Sequence, residues 1–216
     1  MALKLYFHPL SSYCHKALIA LYENDVPFEP RLVNLQDPAE RAAFKAIWPM
    51  GKFPVLRDEA RDRTIPESTV IIEYLAQHHP GKVELIPLDP DLARETRARD
   101  RFLDLYLHNP MQKVIGDRMR PEGQKDSAGV AEALATIQTA LGMLEHEMAE
   151  REWATGERFS LADCAAAPPL YYITNHVRSF RDTHPNMTRY LERLQQRPSY
   201  ARVLREAEPY LAWVPK

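Results

Sequence analysis

The sequence predicts an α/β domain over residues 1–80, a linker over 81–90 and an all-α domain over residues 91–216. Three observations carry this. Before residue 80 the apolar residues switch between short runs and a helical period; after residue 90 only the helical period persists; prolines crowd the stretch between. Leu3-Lys4-Leu5-Tyr6-Phe7 is a short apolar run ended by His8-Pro9 and predicts a buried strand. Cys14, Ala17, Leu18, Leu21 and Tyr22 recur at helical spacing behind Ser11 and Ser12, either of which can cap the helix. Pro30 to Asn34 predicts a second strand, and Pro38 to Ile47 a second helix with Phe44 and Ile47 inward. Pro54 to Arg57 and Arg63 to Ile65 flank an acidic turn and predict a hairpin. Glu67 to His78 closes the unit as a helix with Val70, Ile71, Tyr74 and Leu75 on its apolar side.

Strand, helix, strand, helix, hairpin, helix is the outline of a thioredoxin-like domain. His79-Pro80-Gly81 and Pro87 to Pro90 then bracket the linker. Beyond it, one helix is predicted from about Asp91 to Arg118, with Phe102, Leu103, Tyr106 and Leu107 as its stripe, and another from Ala128 to Arg151. Ser160, with Asp163 three residues on and Phe159 before it, predicts a capping box opening a helix that Pro168-Pro169 should bend. Shorter helices are predicted near Met187 to Gln195 and Ser199 to Glu206.

Composition narrows the function classes. With 45% hydrophobic residues, 27% charged residues and a net charge of -2, the chain is neither disordered nor a general nucleic-acid binder. Its longest apolar stretch, Cys164 to Ile173, is broken by prolines and too short to cross a bilayer, and Lys4 and His8 interrupt the first apolar residues. A cytoplasmic protein without nucleic-acid or membrane partners is expected. Two cysteines make no disulfide framework, and none of the eight histidines has the spacing of a helical zinc site, so no metal is expected. Arg94, Arg97, Arg99 and Arg101 alternate with acids and predict a solvated or dimer-facing surface.

Three segments carry chemistry. Ser11-Ser12-Tyr13-Cys14 lies where the first strand turns into the first helix, and free N–H groups at a helix N-terminus favour a thiolate there. The spacing is that of C-x-x-C with a hydroxyl in place of the first sulfur; a hydroxyl cannot cycle through a disulfide but can donate to another molecule's sulfur. Gly51-Lys52-Phe53-Pro54-Val55-Leu56 places a proline at a strand start opposite this corner, suited to a cis bond that frees the preceding backbone for a peptide ligand. Pro66-Glu67-Ser68 opens the next helix, where a carboxylate, a hydroxyl and free N–H groups can hold an amino acid's charged ends. Plain helix caps and a trans edge proline are the structural alternatives.

In combination and order these motifs, with P-E-S-x-x-I-x-x-Y-L and F-S-L-A-D, resemble the cytosolic glutathione transferase family along essentially the whole chain, and within it the serine-type bacterial, theta, zeta and delta classes. The resemblance implies a thioredoxin-like domain carrying glutathione as co-substrate, an all-helical domain forming a hydrophobic electrophile site, and a homodimer. Position by position, Ser11 matches the donor to the glutathione sulfur, with Ser12 as a rival. Phe53, beside Lys52, matches the residue bonding the cysteinyl backbone, Pro54 the cis-proline, and Glu67-Ser68 the γ-glutamyl anchor. Trp48 stands where the family usually has asparagine, and no residue matches the histidine that holds the glycyl carboxylate in some classes.

Energetics make the serine necessary to this mechanism. A thiol with pKa near 8.5 is only a few per cent ionised at pH 7. A helix terminus contributes about 0.3–1 kcal/mol and a hydrogen bond to a charged group roughly 1.5–3 kcal/mol, together on the order of 1.5–3 pKa units. Tyr6 is a third candidate donor, but strand alternation turns it to the other face. Cys14 reads as structural or redox-active, and Cys164 as core. Tyr106, Met111, Val114, Tyr171 and Trp213 are candidates for the electrophile pocket or for the core. A glutathione-dependent isomerase or disulfide reductase, and a non-catalytic partner-binding relative, are the alternative functions.

Overall fold

A computed structural model describes residues 2–215. Four strands form one mixed sheet in the order β2-β1-β3-β4. β1 (Leu3–Phe7) runs parallel to β2 (Glu29–Leu32) and antiparallel to β3 (Val55–Asp58), which pairs with β4 (Arg63–Pro66). Period-two alternation buries Leu3 and Leu5 on the face that meets the main core. Tyr6 lies on the other face, its ring 6.0 Å from that of Phe44. β2 stops at Leu32, short of the expected Asn34, because its partner ends at Phe7 and the chain turns away at His8-Pro9.

α1 (Ser12–Glu23) and α3 (Ser68–His78) pack together, whereas α2 (Pro38–Ile47) is largely exposed and buries only Phe44. The expected inward Val70 is half exposed. α1 is buried all round: Cys14 through Leu21 are sealed, including His15 and Lys16, because two helices of the other half, α7 (Leu161–Tyr172) and α9 (Pro198–Ala207), cover the face that the sheet leaves open.

The expected single helix from Asp91 to Arg118 is instead α4 (Pro90–Leu103) and α5 (Asn109–Arg118), joined by a π turn over Asp104–His108. The Asn109 N–H reaches the Asp104 carbonyl, so an extra residue rotates the following turn. α6 (Ser127–Glu147) ends a turn before the expected Arg151. α7 (Leu161–Tyr172) opens on the capping box: the Ser160 N–H donates to Asp163 at 2.8 Å, and Asp163 also accepts from the Ala154 N–H and the Tyr190 hydroxyl. The helix runs without interruption through Pro168 and Pro169 and passes into a second π turn, Ile173–Val177. α8 (Pro185–Gln196) and α9 (Pro198–Ala207) each begin on a proline, whose missing N–H is harmless in a first turn. A 3-10 turn, Glu208–Trp213, carries the chain back over the β1–α1 loop.

Two ion clusters join the halves. Glu23 at the end of α1 takes both arms of the Arg197 guanidinium at 2.7 Å and a bond from the Ser199 hydroxyl, while Arg197 lies over the Phe159 ring at 3.9 Å. In mid-helix, the Lys16 ammonium is shared between Thr69 (2.8 Å), Asp100 (2.6 Å) and Asp104 (2.8 Å).

Lys16→Met leaves two carboxylates without their cation and is expected to cost about 3–5 kcal/mol, read as a lower urea midpoint. Asp58, buried at the end of β3, gives a pH signature. Burial alone would raise its pKa, but the Tyr74 hydroxyl, the Arg61 backbone and side chain, and His79 outweigh that and hold it at about 2. A depressed folded pKa means stabilisation that is complete above the unfolded value of about 3.9 and lost as pH falls through about 2. Asp58→Asn should therefore lower the unfolding midpoint at pH 7 and flatten the acid limb of the stability profile.

Candidate functional site

The β1–α1 corner is positioned from behind by the core. His15, neutral because burial pushes it down to about 4, meets the Pro9 carbonyl at 2.6 Å, and the Tyr172 hydroxyl donates to the Leu10 carbonyl at 2.9 Å. The next residue, Ser11, caps α1: its backbone is extended and its Oγ accepts from the Cys14 N–H at 3.3 Å. With the oxygen engaged as acceptor, the hydroxyl proton remains free to donate.

The other residues of the motif diverge. Ser12 is 1% exposed and turns into the domain interface, where its Oγ meets His108 Nε2 at 2.6 Å and accepts from Gln112 at 2.8 Å. Burial keeps His108 below its ordinary pKa, and its Nδ1 faces Asp104 at 3.7 Å. Cys14 is sealed, and burial pushes its thiol up to about 12 against the opposing bonds from Ser11 and His8.

Lys52, Phe53, Pro54, Glu67 and Ser68 all line one cleft of about 490 Å³. The Phe53–Pro54 bond is cis. Glu67 holds φ at +67°, a left-handed conformation uncommon for a residue with a side chain and concentrated at binding sites. Lys52 stands exposed at the rim. Ser11 is not part of the wall; it caps the helix whose first turn sends Tyr13 into it.

Trp48, the departure from the family pattern, also lines the cleft, as do Tyr13, Thr69 and, from the helical half, Asp100, Arg101, Asp104 and Asn109. The Tyr13 hydroxyl donates to Asn109 at 2.7 Å across the domain boundary, and its ring stacks on His108 at 3.6 Å. Burial and the carboxylates of Asp104, Glu67 and Asp100 raise its pKa, so the phenol stays neutral. Burial raises the Asp100 carboxyl despite Lys16; for Asp104 the neighbouring His108 and the Lys16 cation outweigh burial and hold it low. One end of the cleft is thus lined by carboxylates and the N-terminal turn of α3, and a lysine stands at its rim. Of the electrophile-pocket candidates, Met111 and Val114 are core residues, Tyr171 is half-buried, and Tyr106 and Trp213 are exposed.

An N-capped helix facing a cis-proline across a peptide-sized cleft, closed by a helical domain, defines the thiol-handling class of thioredoxin-like folds. The family described as "Glutathione S-transferase, N-terminal domain" matches residues 5–83, and "Glutathione S-transferase, C-terminal domain" matches residues 103–198. Among curated proteins, glutathione S-transferase GstB of Escherichia coli K12 is 28% identical over 196 residues, covering 90% of this chain and 93% of that protein. Glutathione S-transferase theta-1 of Bos taurus is 31% identical over 184 residues, covering 80% of this chain and 73% of that one. A crystal structure of a Methylobacillus flagellatus glutathione S-transferase with glutathione bound superposes with a TM-score of 0.85 at 27% identity, covering 93% and 98% of the two chains. The chain therefore belongs to the cytosolic glutathione transferase family.

Cys14 and Cys164 are both sealed, and burial raises both thiols. A thiol-specific reagent at pH 8 should accordingly titrate neither cysteine in the native protein and both in guanidinium.

Proposed function

We propose that the protein is a glutathione transferase: it binds glutathione in the cleft beside the cis-proline, stabilises its thiolate with Ser11 and adds that sulfur to a hydrophobic electrophile. The observation that carries this reading is the Ser11 cap, whose free hydroxyl proton stands at the positive end of α1. The glutathione backbone pairs with Phe53 at the cis-proline; Glu67, Ser68 and the α3 terminus take the γ-glutamyl group, and Lys52 attracts a carboxylate. Ser12 has its hydrogen bonds elsewhere and acts as an interdomain tie. Disulfide reduction through Cys14 finds no support, because that thiol has no exposure.

The reading extends to a cytoplasmic homodimer acting in detoxification, with the domains dividing at residues 81–90. Exposed Leu92 on α4 and Met143 on α6 supply apolar surface for a second copy. Light scattering at micromolar concentration should return twice the 25.0 kDa chain mass.

Ser11→Ala is expected to raise the pKa of bound glutathione by about 1–2 units, equivalent to one charged hydrogen bond, and to lower kcat/KM for conjugation by about tenfold or more at pH 7. The thiolate's ultraviolet absorbance titrated against pH measures the first and steady-state kinetics the second. Ser12→Ala should lower the unfolding midpoint while leaving the thiolate titration close to wild type. Unchanged ionisation in both variants would sink the Ser11 mechanism.

A further inference from the structure

A second polar cavity opens where α5 ends, the Ile173–Val177 turn begins and the C-terminal segment returns. Its described lining holds Arg118, Arg178 and His176, together with the hydroxyls of Thr174 and Ser179, and no carboxylate side chain. Arg118 spends one guanidinium nitrogen on the backbone carbonyls of His176 (2.6 Å) and Pro215 (3.1 Å), and its remaining N–H donors have no partner among the described residues. Arg178 is exposed and makes no ion pair among the described residues. His176 Nε2 is buried and has no hydrogen-bond partner among the described residues. The Ser179 oxygen accepts from Thr174 (3.4 Å) and from the Arg181 N–H (3.3 Å), so its proton is free to donate. Two cations and several donors converge without a counter-charge among the described residues, which is the complement of an anion.

Two walls connect this cavity to the thiol corner. On one side, Tyr172 bonds the Leu10 carbonyl, next to Ser11, and its ring lies 5.5 Å from His176; four residues of helix place His176 about 6 Å further along the axis. On the other, Tyr210 packs edge-on against His8 of the same corner at 5.7 Å and against Trp213 at 5.4 Å, and the segment ends at Pro215, held by Arg118. Tyr172 on one side and the Tyr210–Trp213 segment on the other therefore tie the cationic cavity to the reactive corner. We propose that the cavity holds the anionic end, a carboxylate or sulfonate, of an aromatic electrophile whose reactive carbon meets the glutathione sulfur, with Arg118, Arg178 and His176 as specificity-determining residues. This rests on the conjugation reading above. Burial and the charge of Arg118 keep His176 below its ordinary pKa, so its ring is neutral beside the two guanidiniums.

Two arms test the proposal on the whole protein. In the first, calorimetry without glutathione compares 2-naphthalenesulfonate with 2-naphthol on wild type and on Arg178→Glu, an exposed position whose replacement leaves the core untouched. The sulfonate should bind wild type more tightly than the naphthol, and lose about tenfold or more in the variant. In the second, kcat/KM is measured with glutathione for 4-(oxiran-2-yl)biphenyl and for its 4′-carboxylate. Wild type should favour the carboxylate by about tenfold, and the ratio should fall toward one in Arg178→Gln and lower in Arg178→Glu. A sulfonate bound equally by wild type and Arg178→Glu would overturn the anion site. A carboxylate preference absent from wild type, or unmoved by the charge reversal, would overturn the electrophile assignment, as would equal inhibition of both epoxides by inorganic phosphate. Turnover of neither epoxide, with sulfonate binding still lost in Arg178→Glu, would bring down the conjugation reading and the electrophile role together.

Discussion

The Lys16 ammonium, sealed from water in the middle of α1, is the constraint on which the arrangement of the cleft depends. A desolvated cation must be surrounded by acceptors, and its three come from α3 (Thr69), α4 (Asp100) and the first residue of the π turn (Asp104). Meeting that demand fixes where α1 points, where the Glu67-Ser68 turn sits, and how closely the helical half approaches. Thr69 is both a Lys16 partner and a neighbour of that turn, and it donates onward to Asp100 at 2.9 Å. Asp100 and Asp104 face Lys16 on one side and the cleft on the other. The same carboxylates therefore hold the scaffold together and define the charge at one end of the site.

α1 is consequently a member of both domains. Ser11 caps it at the corner, its first turn gives Tyr13 to the cleft and Ser12 to the helical half, and its last residue, Glu23, is gripped by Arg197. The sealed Cys14 follows from the same placement, since the helix face that bears it has no route to solvent. A chain built this way keeps the first-place hydroxyl of its corner and loses the use of the sulfur, so the reactive sulfur has to arrive with a ligand.

Much of this was legible in the residues. A short apolar run ended by His8-Pro9 located β1, helical spacing located α1 and α3, and the Ser160–Asp163 box located the start of α7 to the residue. Lys52, Phe53, Pro54, Glu67 and Ser68 were found by motif, and the fold brings them into one cleft. What escaped has a common physical origin. Sequence patterning assigns the charged side of a helix to water, so His15, Lys16 and Glu23 read as solvent-facing until a second domain covers them. The π turns were equally hidden, because one extra residue in a helix changes no local propensity; it changes only the direction in which His108 and Asn109 point. Tyr13 carried a faint signal as the large residue inside the S-x-x-C corner, and its cleft-facing side became evident only with the orientation of the first turn.

The burial of α1 also bears on how the protein is made. Synthesis runs from the N-terminus, and the first 80 residues emerge with the sheet complete but with α1 still lacking the helices that cover it. Their counterparts, Asp100, Asp104 and finally Arg197, arrive about 20 to 120 residues later, which at ~5–20 residues per second is roughly 1 to 24 seconds. Through that interval a lysine, a histidine and a glutamate hold their water beside apolar neighbours, and the nascent domain keeps a half-wet seam. Its folding is completed only when the last tenth of the chain reaches it, which makes this a protein whose two domains mature together rather than in sequence.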